Sequence, residues 1–228
     1  MPSLPRMSQA DEPAHEVLVA RAAHIGTATW SDAMDELGIA DGVCSGLQQR
    51  SGSGRCVGFA ATAKGEVAAL GSFSYAEFGM DRMMASVGPA EVLAVDLGGA
   101  EVSSMGGIGA LHAHNLRIAG VLIDGACRDL EVIQSSGLWV ASRFVSPRTG
   151  KGRVKLGHFK EPIVLAGATV HQGDLIVGDA TGVVVLPRRR MMELLALAEK
   201  MTGIDTLKEI ALKSGKTLLQ AREASERK

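Results

Sequence analysis

The sequence predicts an α/β fold with a parallel βαβα core, followed by a β-rich C-terminal layer and a helix. Three observations lead there. Two short apolar runs, Val92 to Asp96 and Ala119 to Ile123, are too short for helices and read as buried strands. Between them Gly106 to Arg117 has helical spacing, and Asp129 to Ser135 supplies a second helix after the second strand. A helical crossover returns the chain in its original direction, so the two strands should pair in parallel. Lastly, Pro162 to Pro187 changes character: IVLAGATV, GDLIVGD and GVVVLP are short strands separated by Gly, Asp and Thr turns.

The elements follow in order. Residues 1–12 are polar and proline-rich and read as a flexible arm, 13–212 as one domain, and 213–228 as a charged helical tail. A helix is expected from about Pro13, turning Val17, Leu18 and Ala22 inward. A second spans Ser31 to Leu37, capped by Thr29 or Ser31 and stopped by Gly38, with Trp30 as a packing residue. Asp41 to Gly54 reads as a loop, and Val57 to Val67 as a strand in which Lys64 has no visible partner. Phe78 to Val87 reads as a helix whose stripe of Met80, Met83, Met84 and Val87 belongs to the core. In the Gly106 to Arg117 helix, Ile108, Leu111 and Leu116 fall on one face, and Asp124-Gly125 is expected to break the chain after the second strand. Leu138 to Ser142 is a third strand. Ser146 to Gly157 is a basic, glycine-bearing loop, either solvated or reaching toward an acidic substrate in a neighbouring subunit. The helix from Met191 carries Leu194, Leu195, Leu197 and Ala198 as its apolar positions.

Composition narrows the function. With 228 residues and 46% hydrophobic residues, the chain can bury a sizeable core. Its 24 basic and 25 acidic residues give a net charge of −1, which argues against a nucleic-acid partner. No window suits a membrane span and MPSLPRMSQADEP has no signal-peptide core, so a cytoplasmic protein without a membrane partner is expected. Cys44, Cys56 and Cys127 are odd in number and lack a CxxC pair, so neither a disulfide framework nor a zinc site is indicated. Cys127, beside Arg128, reads as a small buried hydrophobe. His112 and His114 lie two apart on a helix and do not converge on one metal.

Chemistry concentrates between Gly98 and Asp129. Carboxyl ends of parallel strands are where open α/β sheets place ligands. The amides of Ile108 and Gly109, at a helix start, favour an anion there, and Arg128 and Asp129 open the next helix beside them. An Arg-Asp pair in this position is equally at home as a helix cap with a solvated partner, and the residues alone leave both readings open. A dinucleotide fingerprint is incomplete, because His112 stands where a third glycine would follow Gly107-Ile108-Gly109.

The run AGVLIDGACRD, with a glycine about twenty residues upstream, resembles the RraA-like family. That family includes the class II 4-hydroxy-4-methyl-2-oxoglutarate and 4-carboxy-4-hydroxy-2-oxoadipate aldolases. GDLIVGDATGVVVLPRRR resembles the same family's C-terminal segment, and the likeness covers roughly residues 30 to 210. It implies a layered α/β sandwich of the swivelling β/β/α type, assembled as a homotrimer or hexamer with sites between subunits. It also implies a lyase that releases pyruvate from a small hydroxy-oxo acid or decarboxylates oxaloacetate, using Mg2+ or Mn2+. Carried onto this chain, Asp129 is the metal ligand and Arg128 holds the substrate. The segment Gly106, Gly107, Ile108 and Gly109 receives the pyruvyl carboxylate, and Asp205 of a neighbouring chain orients a metal-bound water. Two positions depart from the pattern of the enzyme members: Gly107 and Val132 stand where those usually carry acids, with Glu131 one place early. Carboxylates in such positions orient metal waters, and losing one costs about 10–100-fold in affinity or activity. The alternative within the family is a non-catalytic regulator that binds a ribonuclease.

Overall fold

The computed structural model describes residues 15–226. The expected arm, and Pro13 as a helix start, lie outside them. The order of elements is α1 (His15–Ala22), α2 (Thr27–Glu36), β1 (Val43–Cys44), β2 (Gln48–Ser51), β3 (Cys56–Val67), α3 (Met80–Ala85), β4 (Glu91–Asp96), β5 (Ser103–Met105), α4 (Gly107–Asn115), β6 (Gly120–Cys127), α5 (Leu130–Ser136), β7 (Val140–Val145), β8 (Val154–Phe159), β9 (Ile163–Leu165), β10 (Ala168–Val170), β11 (Leu175–Gly178), β12 (Val183–Leu186), α6 (Met191–Lys213) and α7 (Leu218–Glu226).

The main sheet runs β1-β12-β11-β3-β4-β6-β7-β2, with β5 beside β6 and β8 beside β3. Its centre is parallel: β3 with β4, β4 with β6 in the register Val92↔Gly120 to Asp96↔Asp124, and β6 with β7. The β11, β12 and β1 strands extend it antiparallel, while β9 and β10 form a separate hairpin. The expected α/β sandwich with a parallel core and a β-rich C-terminal layer is what forms.

Both faces of the central strands are covered, which is why their sequences are continuously apolar. Leu93, Val95, Val121 and Ile123 face a core built with α3, α4 and α5. Val92, Ala94 and Leu122 face the opposite way, toward Trp139 and the β9–β10 hairpin. A third cluster packs α1, α2 and α6 on β11, β12 and the start of β3; Trp30, Leu194, Leu195 and Ala198 lie there, with Leu197 partly buried at its edge. Leu18 and Ala22 of α1 are buried as expected, whereas Val17 is exposed.

Several local expectations are corrected. Asp124-Gly125 does not break the chain but lies inside β6. A Cβ on Gly125 would come within 2.8 Å of Leu97 Cδ1, so this glycine serves close packing rather than a turn. The segment 41–54 contains β1 and β2, each paired to a strand distant in sequence. The helix expected over Phe78 to Val87 is split by Gly79 (φ 67°) into a 3-10 turn, Tyr75–Phe78, and α3. Lys64 does have a partner, Asp96 Oδ2 at 3.6 Å.

The start of α2 is also earlier than expected. Neither Thr29 nor Ser31 caps it, and Gly26 at its N-cap offers no side chain. Asp179 caps it from the far end of the chain, accepting from Thr27 N at 3.0 Å and from Thr27 Oγ1 at 2.7 Å. Burial alone would raise the Asp179 pKa, but hydrogen bonds from Thr27 and from the Thr181 and Gly182 backbone outweigh it and hold the carboxyl below its ordinary value. A depressed carboxylate contributes stability that is present above the unfolded-state pKa of about 3.9 and lost as pH falls through the lower folded value. Asp179→Ala is expected to cost about 1–2 kcal/mol at neutral pH, as lost caps do. Thermal melts should show that deficit shrinking as pH falls below about 4.

Candidate functional site

The carboxyl ends of β5 and β6 open onto a cavity of about 200 Å3 lined by Met105, Gly106, Ile108, Gly109, Arg128 and Asp129, with Phe78, Met80, Ser103, Ser104, Thr149 and Lys151 completing the wall. The parallel pairing of β5 with β6 places the start of α4 beside the start of α5. The carboxyl edge singled out in the sequence therefore opens onto a cavity.

Asp129 joins the two helix starts. Its backbone is left-handed (φ 54°, ψ 47°), a conformation Asp tolerates better than most residues. The carboxylate does not cap its own helix; Oδ2 accepts from Gly107 N at 3.1 Å instead. Arg128 Nε lies 3.7 Å from the same oxygen, with both side chains partly open to solvent. The pair that read equally as a cap or a site is thus a cap for α4 and a wall of a cavity at once. The first-turn amides of Ile108 and Gly109 have no acceptor within the helix, and both residues line the cavity.

Glycine is required here by space. A Cβ on Gly106 would lie 2.5 Å from Asp129 Oδ2 and 3.1 Å from Arg128 Nε. A Cβ on Gly109 would meet Met105 Cγ at 2.8 Å. Because α4 approaches the sheet so closely, it buries Gly107, Gly109, Ala110 and Ala113. Ile108 and Leu111, expected on an inward face, are turned outward, and Ile108 is 86% exposed. Of the expected face, Leu116 alone packs against the core.

The two departures from the enzyme pattern prove to be neighbours. A Cβ on Gly107 would lie 2.6 Å from Val132 Cγ1 and 2.7 Å from Val132 Cβ. The valine, down to its Cβ, occupies the space a side chain at position 107 would need, so only glycine fits there with the two helix starts this close.

No group of three or more His, Cys, Asp or Glu side chains comes together among the described residues to hold a metal ion. Asp129 provides one carboxylate, with Oδ2 engaged by Gly107 and Arg128 and Oδ1 accepting no hydrogen bond among the described residues. A hard ion that keeps its waters and takes substrate oxygens fits such a donor set, as magnesium and manganese do. Zinc, which takes four protein ligands in structural sites and three in catalytic ones, does not.

Asp205 is not brought to this cavity within the chain. It lies on the outer side of α6, paired with Lys208 Nζ at 3.0 Å. His112 and His114 are exposed and do not line the cavity. All three cysteines are buried, and burial pushes the thiols of Cys44 and Cys56 up to about 12, so neither is a nucleophile.

The basic loop contributes what the sequence reading missed. Thr149 and Lys151 line the cavity of their own chain, and Lys151 joins Arg128 as a second cation there. Met80, from the stripe read as core, also lines it. The loop's charge was the available signal for Lys151.

Residues 27–185 match the family model described as RraA-like, Aldolase/RraA. A Halalkalibacterium halodurans protein, provisionally named a 4-hydroxy-4-methyl-2-oxoglutarate aldolase, is 30% identical over 141 residues, which is 61% of this chain and 67% of that relative. Other curated relatives are matched over 17% to 61% of their own length. An uncharacterised protein from Pseudomonas syringae superposes with a TM-score of 0.81 at 29% identity, over 92% of this chain and 99% of its own. Streptomyces coelicolor RraAS2, described as an unusual member of the RNase ES inhibitor RraA family, superposes with a TM-score of 0.77 at 22% identity, over 87% and 98%. That last likeness is one of fold. Among the described residues, no helix is long and apolar enough to cross a membrane.

Proposed function

This chain belongs to the RraA-like family, and from that premise we propose that it is a divalent-metal-dependent lyase releasing pyruvate from a small hydroxy-oxo acid. In this reading it is similar to 4-hydroxy-4-methyl-2-oxoglutarate aldolases, with oxaloacetate decarboxylation as a related activity. The observation that carries the reading is the Arg128–Asp129 pair at a cavity shared with the open amides of α4.

The chemistry follows from these residues. The bond between the hydroxyl-bearing carbon and the carbon beside the ketone breaks. The hydroxyl gives its proton to water and becomes a carbonyl, and the electron pair collects as an enolate on the pyruvyl fragment, whose carbon then takes a proton back from water. The amides of Ile108 and Gly109 receive the pyruvyl carboxylate, as helix N-termini do. Arg128 stabilises the negative charge growing on the former oxo oxygen, work that in oxyanion sites contributes about 10²–10³ in rate per donor. Asp129 would hold Mg2+ or Mn2+, which when bound supplies further positive charge at that oxygen. Phe78, Met80 and Met105 give the cavity apolar walls that thin out water, and Lys151 supplies a second positive charge for an acidic substrate.

The exposed Ile108, Leu111 and Val132 side chains suit burial against a second copy of the chain, in the homotrimer or hexamer of this reading. Asp205 then belongs to the site of a neighbouring copy. A cytoplasmic location completes the proposal.

The direct test is a pyruvate-coupled assay over a panel of oxo acids with magnesium, with manganese and with a chelator. Release that needs the metal supports the reading, whereas no release from any of them removes it. Gly106→Ala probes the geometry: its Cβ would displace the Asp129 carboxylate, while the backbone at φ −129° is open to any residue. Pyruvate release is expected to fall about 100-fold, with a melting temperature within a few degrees of wild type.

The ribonuclease-binding alternative is favoured by one observation, the replacement of both acids by Gly107 and Val132 in contact with each other. A stable ribonuclease complex, together with absent metal binding by calorimetry, would select it.

A further inference from the structure

The charged groups of the cavity account for one end of a substrate. Arg128, Asp129 and the first-turn amides of Ile108 and Gly109 meet where β5 and β6 end, and they suit a carboxylate with an oxo oxygen beside it. Other polar side chains of the wall are already engaged: Ser103 Oγ donates to the Met105 carbonyl at 2.8 Å, and Thr149 Oγ1 accepts from Lys151 N at 3.3 Å. What remains is Lys151 and an apolar surface.

Met80 is the half-open part of that surface. Phe78 and Met105 also line the cavity but are buried, and Ile108 is an exposed rim, whereas Met80 is only partly buried. Its companions in the methionine stripe, Met83 and Met84, are sealed in the core. Met80 follows Gly79, whose left-handed backbone (φ 67°) separates the 3-10 turn from α3. Its thioether reaches α4: a Cβ on Gly109 would come within 3.3 Å of Met80 Sδ and 3.5 Å of Met80 Cε. The end of the side chain therefore lies against the helix turn whose amides suit the carboxylate. A substrate seated on those amides has a flexible, polarisable apolar group beside it.

Energetics decide what the far end of such a substrate is. Each CH2 removed from water against an apolar wall is worth about fourfold in affinity. A second carboxylate in the same place would have to shed its water, a cost that only pairing offsets. Among the described residues, Lys151 is the one cation of the wall besides Arg128, and it is exposed, where a single charge holds a partner weakly.

We infer that the substrate is a 4-hydroxy-2-oxo acid with a single carboxylate and a short alkyl group on its hydroxyl-bearing carbon, and that Met80 is the specificity-determining residue that receives the alkyl group. The cavity of about 200 Å3 keeps that group short. The inference deepens the lyase reading and rests on it for the bond that breaks. That bond joins the hydroxyl-bearing carbon to the carbon beside the ketone. The hydroxyl proton goes to water, an aliphatic aldehyde or ketone leaves, and the enolate carbon takes a proton back from water to give pyruvate.

The test compares two oxo acids that lack the hydroxyl and so are not cleaved. In 5-methyl-2-oxohexanoate an isopropyl group takes the place of the second carboxylate of 2-oxoglutarate. Both are titrated calorimetrically into the magnesium-loaded full-length protein. Wild type is expected to bind the isopropyl acid about tenfold more tightly. Met80→Gln, of similar length but polar, should bring that ratio down to about two, and Met80→Leu should keep it. Because the two acids share their pyruvyl end, the ratio reports on the far end alone. A wild-type ratio of one or less, a ratio unmoved by Met80→Gln, or no binding of either acid would overturn the inference. Equal loss in Met80→Gln and Met80→Leu would overturn it too, by making Met80 a packing residue. Pyruvate release from 4-hydroxy-2-oxohexanoate and from 4-hydroxy-4-methyl-2-oxoglutarate decides the lyase reading separately. Wild type that prefers the isopropyl acid but releases pyruvate from neither ends that reading and leaves Met80 in place. Release from the second compound alone keeps the lyase and overturns the inference.

Discussion

Asp129→Asn is expected to lower metal-dependent pyruvate release by at least about 100-fold while leaving the fold intact. Loss of a single oxyanion donor already costs about 10²–10³ in rate, and this change removes the charge that would hold the metal. The asparagine is chosen because the backbone here is left-handed (φ 54°), a region Asn accepts as readily as Asp. Its amide oxygen can still accept from Gly107 N, so the cap on α4 survives. Asp129→Ala removes charge, cap and backbone tolerance together. It should therefore lose activity to the same extent and stability as well, by about 1–2 kcal/mol for the strained backbone. Comparing the two variants by pyruvate assay, metal calorimetry and thermal melt separates chemistry from scaffold. Turnover in Asp129→Asn equal to wild type would remove the carboxylate from the mechanism.

What the sequence made legible followed the length scale of the interaction. The parallel core, the two glycine-bearing loops at one sheet edge and the Arg128–Asp129 pair follow from runs of a few residues, and the structure brings them together. The missed features depend on contacts across the chain. Thr27 is capped by Asp179, which is 152 positions away, so no local cap signal existed for α2. Ile108 and Leu111 have the spacing of an inward face, but α4 packs through Gly107, Gly109, Ala110 and Ala113. Periodicity of large residues is a poor guide where two backbones approach this closely. Lys151 was visible as charge on a loop, but only the course of that loop past Ser103 and Phe78 brings it to the cavity of its own chain.

Gly107 and Val132 show why single departures from a family pattern are hard to read along a sequence. They are 25 positions apart, yet a side chain on one would overlap the other. A side chain at 107 would meet the Cβ of any non-glycine residue at 132, so an acid at 107 requires the starts of α4 and α5 to stand further apart. Glycine at 107 thus goes with the close approach of the two helix starts beside Asp129. A lyase built this way has to orient its bound waters with fewer carboxylates, which places more of the positioning on Arg128 and Lys151.

The largest effect on stability is expected away from the cavity, at Asp124 in the middle of β6. An Asp-Gly pair ordinarily signals a turn, but here the acid is 5% exposed and held by two elements at once. Arg143 Nε of β7 donates to Oδ1 at 2.6 Å, and the Ala166 backbone N–H, from the turn between β9 and β10, donates to Oδ2 at 2.9 Å. The hydrogen bond to Asp124 is the leading cause of a raised Arg143 pKa, so the guanidinium stays charged. Asp124→Ala therefore strands a cation and a buried N–H together. Breaking a buried ion pair costs about 3–5 kcal/mol. Arg143 remains about a third exposed, with a side-chain accessibility of 29%, and can recover some hydration, which puts the expected loss near 3 kcal/mol. For a chain of this length that is a fall in melting temperature of about 6–12 °C. Asp124→Asn keeps an acceptor for either donor and should lose less than half as much. Because β6 runs directly from Asp124 toward Arg128 and Asp129, the folded fraction of Asp124→Ala should also show weakened pyruvate release. A melt within one degree of wild type would show that the hairpin is held by the apolar contacts of its own Ile163, Leu165 and Ala168 with the sheet alone.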